Sequence, residues 1–389
     1  MTESGEIGEP QGGVGELARL FGRLGFTAFG GPAAHIAMMH EEVVTRRQWL
    51  DDQRFLDLIG VTNLIPGPNS TEMAMHVGHE RAGWRGLVTA GASFILPASL
   101  IVLAFAWAYV EYGNTPNGSA LLYGIKPVVV IIVAHALIKL GRSAMKGWLT
   151  GLIAVAATAS YLVGFNELLI LTLGGAIVLA VRSANRSNLL AVVPIWGVGW
   201  AAAHAGTDPV SLGRLFLVFL KAGAFLYGSG YVLLAFLQND LVLRLDVLTD
   251  QQLVDAVAIG QFTPGPVFTT ATFIGYVLAG IPGAVIATIG IFLPSFVFVG
   301  AITPIARRIR DRAWTASLLD GVTTAALGLM AGVTFQLSRD ALNDPVTIGI
   351  GIVSAVMLWR TRINSAWLVA GGGGVGLAAS LLQVASRGW

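Results

Sequence analysis

The chain contains no cysteine. That excludes disulfides, thiolate-held zinc, iron–sulfur clusters and thiol chemistry. It is also poor in charge. Of 389 residues, 12% are Asp, Glu, Lys or Arg, against about 25% in a soluble domain. Its 24 basic and 22 acidic residues leave a net charge of only +2. The basic residues gather in a few joints between apolar segments, so they read as topology signals and nucleic acid is not expected as a partner. No G-x-x-x-x-G-K-[ST] run is present, which removes ATP as the direct energy source for a chain working alone. Residues 1–15 are rich in Gly and Glu and lack the basic and apolar regions of a signal peptide. They are expected to be a disordered tail.

What the chain has in excess is apolar length. It is 54% hydrophobic, with a mean hydropathy of +0.71. Apolar segments near 86–110, 118–138, 148–163, 167–181 and 189–204 are joined by short polar stretches. This predicts an all-α, polytopic integral membrane protein in the lipid bilayer. Ahead of these segments the pattern is more broken. A helix is predicted over Glu16–Phe29, a break at Gly30-Gly31-Pro32, and a second helix to about Val44. A charged joint then leads to another helix, which must end near Ile65.

It must end there because Pro66-Gly67-Pro68 follows. Each proline lacks an N–H and disfavours helical geometry in the residue before it, while proline is well tolerated where a helix begins. A half-helix to about Glu80 is therefore predicted. The same break recurs 198 positions later as Pro264-Gly265-Pro266. At that offset Arg23 matches Lys221, Gly30 matches Gly228, Asp57 matches Asp255, Asn63 matches Gln261 and Thr71 matches Thr269. After one deleted residue, Gly83 matches Gly280, Leu96-Pro97 matches Leu293-Pro294 and Gly124 matches Gly321. So many aligned punctuators indicate an internal repeat, residues 16–205 and 206–389.

The loop charges orient the two halves. Arg81 and Arg85 precede the 86–110 segment and no basic residue follows it before Ser119. In the second half the equivalent segment has none before it, and Arg307, Arg308, Arg310 and Arg312 after it. Lys and Arg accumulate on the cytoplasmic side, so the first segment starts inside and its counterpart starts outside. Inverted repeats with broken or re-entrant helices are expected, the arrangement of many secondary transporters. Re-entrant hairpins would enter from the cytoplasm in the first half and from outside in the second. Fully spanning broken helices are the alternative.

A broken helix presents unpartnered N–H groups and partial positive charge at the start of its second piece. The expected anion site therefore includes Gly67, Asn69, Ser70 and Thr71, with Gly265 and Thr269 opposite, and Gly30, Gly31, Gly228 and Ser229 at the other breaks. A simple kink with close glycine packing is the plainer reading. Arg23 and Lys221 lie two turns before their breaks and are expected to serve the substrate or a gate, or else to snorkel. Asn63 and Gln261 offer amides. His35 bonds the anion or relays a proton, or else is satisfied by backbone. Asp57, Asp255 and Glu72 are candidate proton carriers; Asp57 and Asp255 could equally sit at hairpin mouths, in helices capped by Asp51 and Thr249. Glu72, His76 and His79 share a helical face, but their counterparts Thr270, Ile274 and Val277 are not ligands, so no metal is expected. The Gly371–Gly374 run reads as helix packing. No cofactor and no catalytic residue is indicated.

Taken in order, Phe29-Gly30-Gly31-Pro32-Ala33-Ala34-His35, Arg46-Arg47-Gln48-Trp49-Leu50, Pro66-Gly67-Pro68 and Phe94-Ile95-Leu96-Pro97 resemble the motifs of the chromate ion transporter (CHR) family. Gly228-Ser229-Gly230-Tyr231, Pro264-Gly265-Pro266 and Phe292-Leu293-Pro294 resemble its second-domain versions. Tyr227-Gly228-Ser229-Gly230 stands where that family has a Phe-Gly-Gly-Gly-like run, with small residues kept. The resemblance covers roughly residues 16–385, the long two-domain form. It implies chromate export across the inner membrane, chromate resistance and drive by the proton-motive force. The residues alone reach a secondary transporter of a small anion. A sulfate or other oxyanion carrier, importer or exporter, is the nearest rival, and an anion channel is the rival of a different class. Homodimerisation is left open.

Overall fold

The computed structural model describes residues 13–183, 211–227, 230–302, 312–361 and 363–387. Most of the expected tail, the 189–204 segment, Gly228, Ser229, Arg307, Arg308 and Arg310 lie outside the described residues. The protein is an all-α, polytopic membrane protein; among the described residues, four helical stretches are long and apolar enough to cross a bilayer.

The N-terminal part is built from helical hairpins. α1 (Val14–Thr27) and α2 (Gly31–His40) meet at a break where Gly30 adopts φ 105°. α2 runs on into a π-helical turn, Glu41–Arg46. Arg23 pairs with Glu42 at 2.5 Å and Arg47 with Glu16 at 3.4 Å, so the two arms run antiparallel. α3 (Asp52–Thr62) is capped by the Asp51 carboxylate, which accepts from Arg54 N. It ends at the Pro-Gly-Pro break, and α4 (Asn69–Tyr112) begins there. An ion pair joins Arg54, at the start of α3, to Glu80, twelve residues into α4. The chain therefore enters and leaves this hairpin at one level. The Arg47 and Arg81 guanidiniums stand over Trp49 at 5.4 and 5.1 Å, which puts both hairpin mouths together.

α4 is itself folded back. Ala82 (φ −147°, ψ 27°) and Gly83 (φ 56°, ψ −143°) leave helical geometry. Gly78 lies against Gly86 and Ala90, and Gly91 against Met75, the register of two antiparallel arms. Residues 69–81 form the half-helix and 84–112 the apolar span. Only a residue without Cβ takes the Gly83 conformation at little cost.

The second half repeats these elements. α8 (Leu212–Phe225) matches α1 end to end at the 198 offset. A 3₁₀ turn (Gly230–Val232), α9 (Leu233–Leu237) and a π-helical turn (Gln238–Arg244) correspond to α2 and its turn. α10 (Asp250–Phe262) has a capping box in which Thr249 and Gln252 bond reciprocally. α11 (Thr270–Ile302) bends at Ala279 (φ −148°, ψ 25°) and Gly280 (φ 62°, ψ −152°), nearly the angles of Ala82 and Gly83. Gln48 and Asp246, at matching positions, both have φ 51°.

The remaining helices exchange partners between halves. α5 (Pro116–Ala144) packs on α13 (Pro345–Arg360) and α14 (Ser365–Arg387), while α12 (Ala313–Ala341) packs on α6 (Trp148–Leu162) and α7 (Glu167–Ser183). Gly124 backs onto Gly372 and Gly376, and its counterpart Gly321 onto Gly174 and Gly175. Part of the Gly371–Gly374 run is thus a helix contact. The apolar core is divided. Leu17, Phe21, Met39, Phe55 and Met73 of the first-half hairpins form a cluster of their own. Their second-half equivalents, among them Phe219, Leu237 and Leu253, merge with the core of the exchanged helices.

Candidate functional site

The tips of the hairpins interlock. Gly67 N donates to Leu226 O at 2.8 Å, and Gly265 N donates to Ala28 O at 2.8 Å. These two bonds are equivalent under the repeat, since Ala28 and Leu226 each close the first helix of a half. Each Pro-Gly-Pro break is therefore capped by the other half, a reciprocal arrangement of the kind a two-fold relation produces. Tyr227 adds a third tie, its hydroxyl donating to Leu64 O at 2.7 Å.

The two glycines are required by the chain's own crowding. Gly67 has φ 140° and Gly265 φ 86°. A Cβ on Gly67 would meet the Glu72 carboxylate and stand 2.6 Å from Ser295 Oγ. One on Gly265 would lie 2.5 Å from Ala98 Cβ and 3.1 Å from Gly25 O. Ala98 and Ser295 are the residues after Pro97 and Pro294, so the Leu-Pro motifs set what faces each tip. Neither was picked out in the sequence, where the prolines drew attention and their neighbours did not.

The expected ligands are placed unequally. On the first-half side Gly30 and Asn63 are exposed, and Gly31 and Asn69 half-buried. Asn69 Nδ2 donates to Asn63 Oδ1 at 3.0 Å, bridging the break. Thr71 N and Glu72 N bond Pro68 O. The two N–H groups before them, on Asn69 and Ser70, have no acceptor within the helix. Ser70 and Thr71 are buried, and Thr71 Oγ1 lacks a hydrogen-bond partner. On the second-half side Gln261 is half-buried and Thr269 fully buried, its hydroxyl donating to Pro266 O at 2.8 Å. Gly228 and Ser229 fall outside the described residues.

His35 is buried, with Nε2 3.1 Å from Ala28 O. A carbonyl only accepts, so the proton is on Nε2. Its Nδ1 is buried without a partner. The ring is thus tied to the backbone at the tip.

The cations are engaged elsewhere. Arg23 is half exposed and paired with Glu42. Lys221 is buried, 2.7 Å from Asp240 and ion-paired also with Glu167. Each cation pairs with a carboxylate of its own hairpin, Glu42 or Asp240. Asp57 is half-buried, and its counterpart Asp255 is buried on α10. Asp255 accepts from the Tyr109 hydroxyl at 3.0 Å and lies 4.0 Å from Lys126 Nζ. Glu72 is the candidate carboxyl at a tip. It is fully buried, its Oε1 accepts from Ser295 Oγ at 2.9 Å, and its Oε2 has no partner. His76 is buried one turn further on, and His79 meets Trp84 edge-on.

A family model described as "Chromate transporter" matches residues 15–180 and again 213–377. Among curated relatives, a "Probable chromate transport protein" of Synechococcus elongatus is 34% identical, over 89% of this chain and 90% of its own length. A "Chromate transport protein" of Cupriavidus metallidurans is 31% identical, over 94% of this chain and 92% of its own. One of the same name from Pseudomonas aeruginosa is 31% identical, over 90% and 88%. No solved structure matches the chain.

Proposed function

The chain belongs to the chromate transporter family, and from that premise we propose that it is a secondary active transporter of chromate in the cytoplasmic membrane. Its direction is export, which gives chromate resistance, and its two halves are inverted repeats. The observation that carries this reading is the reciprocal pair of bonds, Gly67 N to Leu226 O and Gly265 N to Ala28 O. It gathers the broken ends of both halves at one place. Non-helical backbone at membrane depth persists where it is buried in protein or lines a cavity. The loop charges support the inversion, with basic residues at the first-half mouths.

Within this reading the anion binds at the first-half tips. The N-terminal N–H groups of α2 and α4 and the Asn63 and Asn69 amides supply its hydrogen bonds. Exposure of Gly30 and Asn63 supports that side. Glu72 is the proton carrier, because a carboxyl beside Gly67 feels both the bound anion and the tip contact. Protonation there removes a charge that would repel the anion.

Sulfate is the second reading, since it is a tetrahedral dianion like chromate and meets the same donors. Titrating purified protein with chromate and with sulfate, following tryptophan fluorescence, separates the two. Saturable chromate binding that Asn63→Ala and Asn69→Ala weaken supports the site. Saturable binding of sulfate alone favours the second reading, and chromate binding unchanged in both variants removes the tip site.

A further inference from the structure

The two pairs of hairpins are not docked alike. α10 packs on α5 and α14, and the α9 segment packs on α12, whereas α3 makes its main contact with α4. Exposure follows the same division. Arg23 and Asn63 are open where Lys221 is buried and Gln261 half-buried.

Buried polar contacts fasten the second pair, some within the hairpins and some reaching first-half helices. Glu167, at the start of α7, is fully buried and bonds both Lys221 Nζ and Asn239 Nδ2. Lys221 also holds Asp240. Tyr161, near the end of α6, donates its hydroxyl to Gln238 Oε1 at 2.8 Å, and Gln238 donates to Asp250 at 2.6 Å. Tyr109, near the end of α4, donates to Asp255.

The repeat keeps the hairpin members of this set and loses the partners. Arg23 stands for Lys221, Glu42 for Asp240, and His40 and Asp52, 2.8 Å apart, for Gln238 and Asp250. At the position of Glu167, however, stands Asn364, and at that of Tyr161, Leu358. The first-half hairpins have no equivalent carboxylate to dock against. The difference between the halves is written into the sequence.

We infer that Glu167, with Lys221, Asp240 and Tyr161, is a latch that clamps the second-half hairpins shut and so sets the resting conformation of the transporter. The inference rests on the inverted arrangement proposed above. In that arrangement the latch residues on α6 and α7 lie toward the outside, and the first-half mouths, with Arg47, Arg54 and Arg81, lie inside. The latch is then the external gate, and the resting state opens to the cytoplasm. A buried carboxylate without its cation is strongly unfavourable, so the cluster is held as a unit or released as a unit.

The chain's lack of cysteine makes the test direct. Single cysteines at Asn63 and Gln261 are labelled with a membrane-impermeant maleimide in inside-out and right-side-out vesicles. In the otherwise unaltered chain Asn63→Cys labels from the cytoplasmic face, and Gln261→Cys is protected from both. Adding Glu167→Gln raises external labelling of Gln261→Cys by about tenfold or more, because Lys221 loses a buried partner. Tyr161→Phe, which keeps the ring and the packing, moves it the same way by less. Asp320→Asn, which breaks the separate Lys146–Asp320–Arg182 cluster, leaves it unchanged. Labelling at Gln261→Cys that ignores both Glu167→Gln and Tyr161→Phe overturns the latch, as does an equal response to Asp320→Asn. External labelling of Asn63→Cys overturns the inward-facing assignment and the proposed orientation together. The readout needs no anion, so it is independent of whether chromate or sulfate is the substrate.

Discussion

At the residue scale the glycines of the two breaks divide into those that serve conformation and those that serve closeness. Gly31 has φ 78° with nothing within 4 Å of where its Cβ would be. Gly31→Ala carries only the backbone cost, about 1–2 kcal/mol. Gly67→Ala adds a collision with Glu72 and Ser295, and is expected to cost about 2–4 kcal/mol. Thermal unfolding in detergent compares them directly, and equal losses would remove the crowding argument at Gly67. Glu72→Gln keeps the shape of the side chain and the bond from Ser295 while removing the titrating proton. It is expected to retain chromate exchange at equilibrium and to lose accumulation driven by a pH gradient. Loss of both would make Glu72 a structural or anion-contact residue instead.

At the scale of elements the hairpins are what the sequence made most legible. Two prolines around a glycine end a helix whatever surrounds them, and Asp51 and Thr249 mark the starts of α3 and α10 by local hydrogen bonding. The backward bends at Gly83 and Gly280 were present in the register as matched glycines, between a half-helix ending near Glu80 and a span beginning near 86. What stayed hidden was the partnership of buried charges. Glu167 reads locally as an acidic residue at a helix start, favourable to the dipole. Nothing within a few turns announces that Lys221, over fifty residues on, will meet it. The ion pairs of Arg23 and Lys221 were hidden for the same reason: position relative to a break is local, and ion pairing is not. Two predictions belong here. Thr249→Ala removes a reciprocal cap and is expected to cost about 1 kcal/mol, read as a lowered unfolding temperature. Arg54→Cys with Glu80→Cys should form an intramolecular disulfide on oxidation, because the hairpin returns to its mouth. Failure to cross-link, with Arg54 and Glu80 accessible from opposite faces, would favour a fully spanning broken helix.

At the scale of the whole molecule the halves share elements, bends and tip contacts, yet differ in docking. Matching elements with unequal packing suit a transporter that exposes one site to two sides in turn. Such a protein responds to a ligand only through its different affinity for the two states. The tip contacts join the halves at the proposed site, and the proposed latch biases which side is open. The most direct measurement of the central claim is chromate movement in proteoliposomes containing the purified chain, with a pH gradient or a membrane potential imposed. The account predicts saturable chromate transport, accelerated counterflow and dependence on the pH gradient. Absence of saturable chromate movement under every gradient would contradict it.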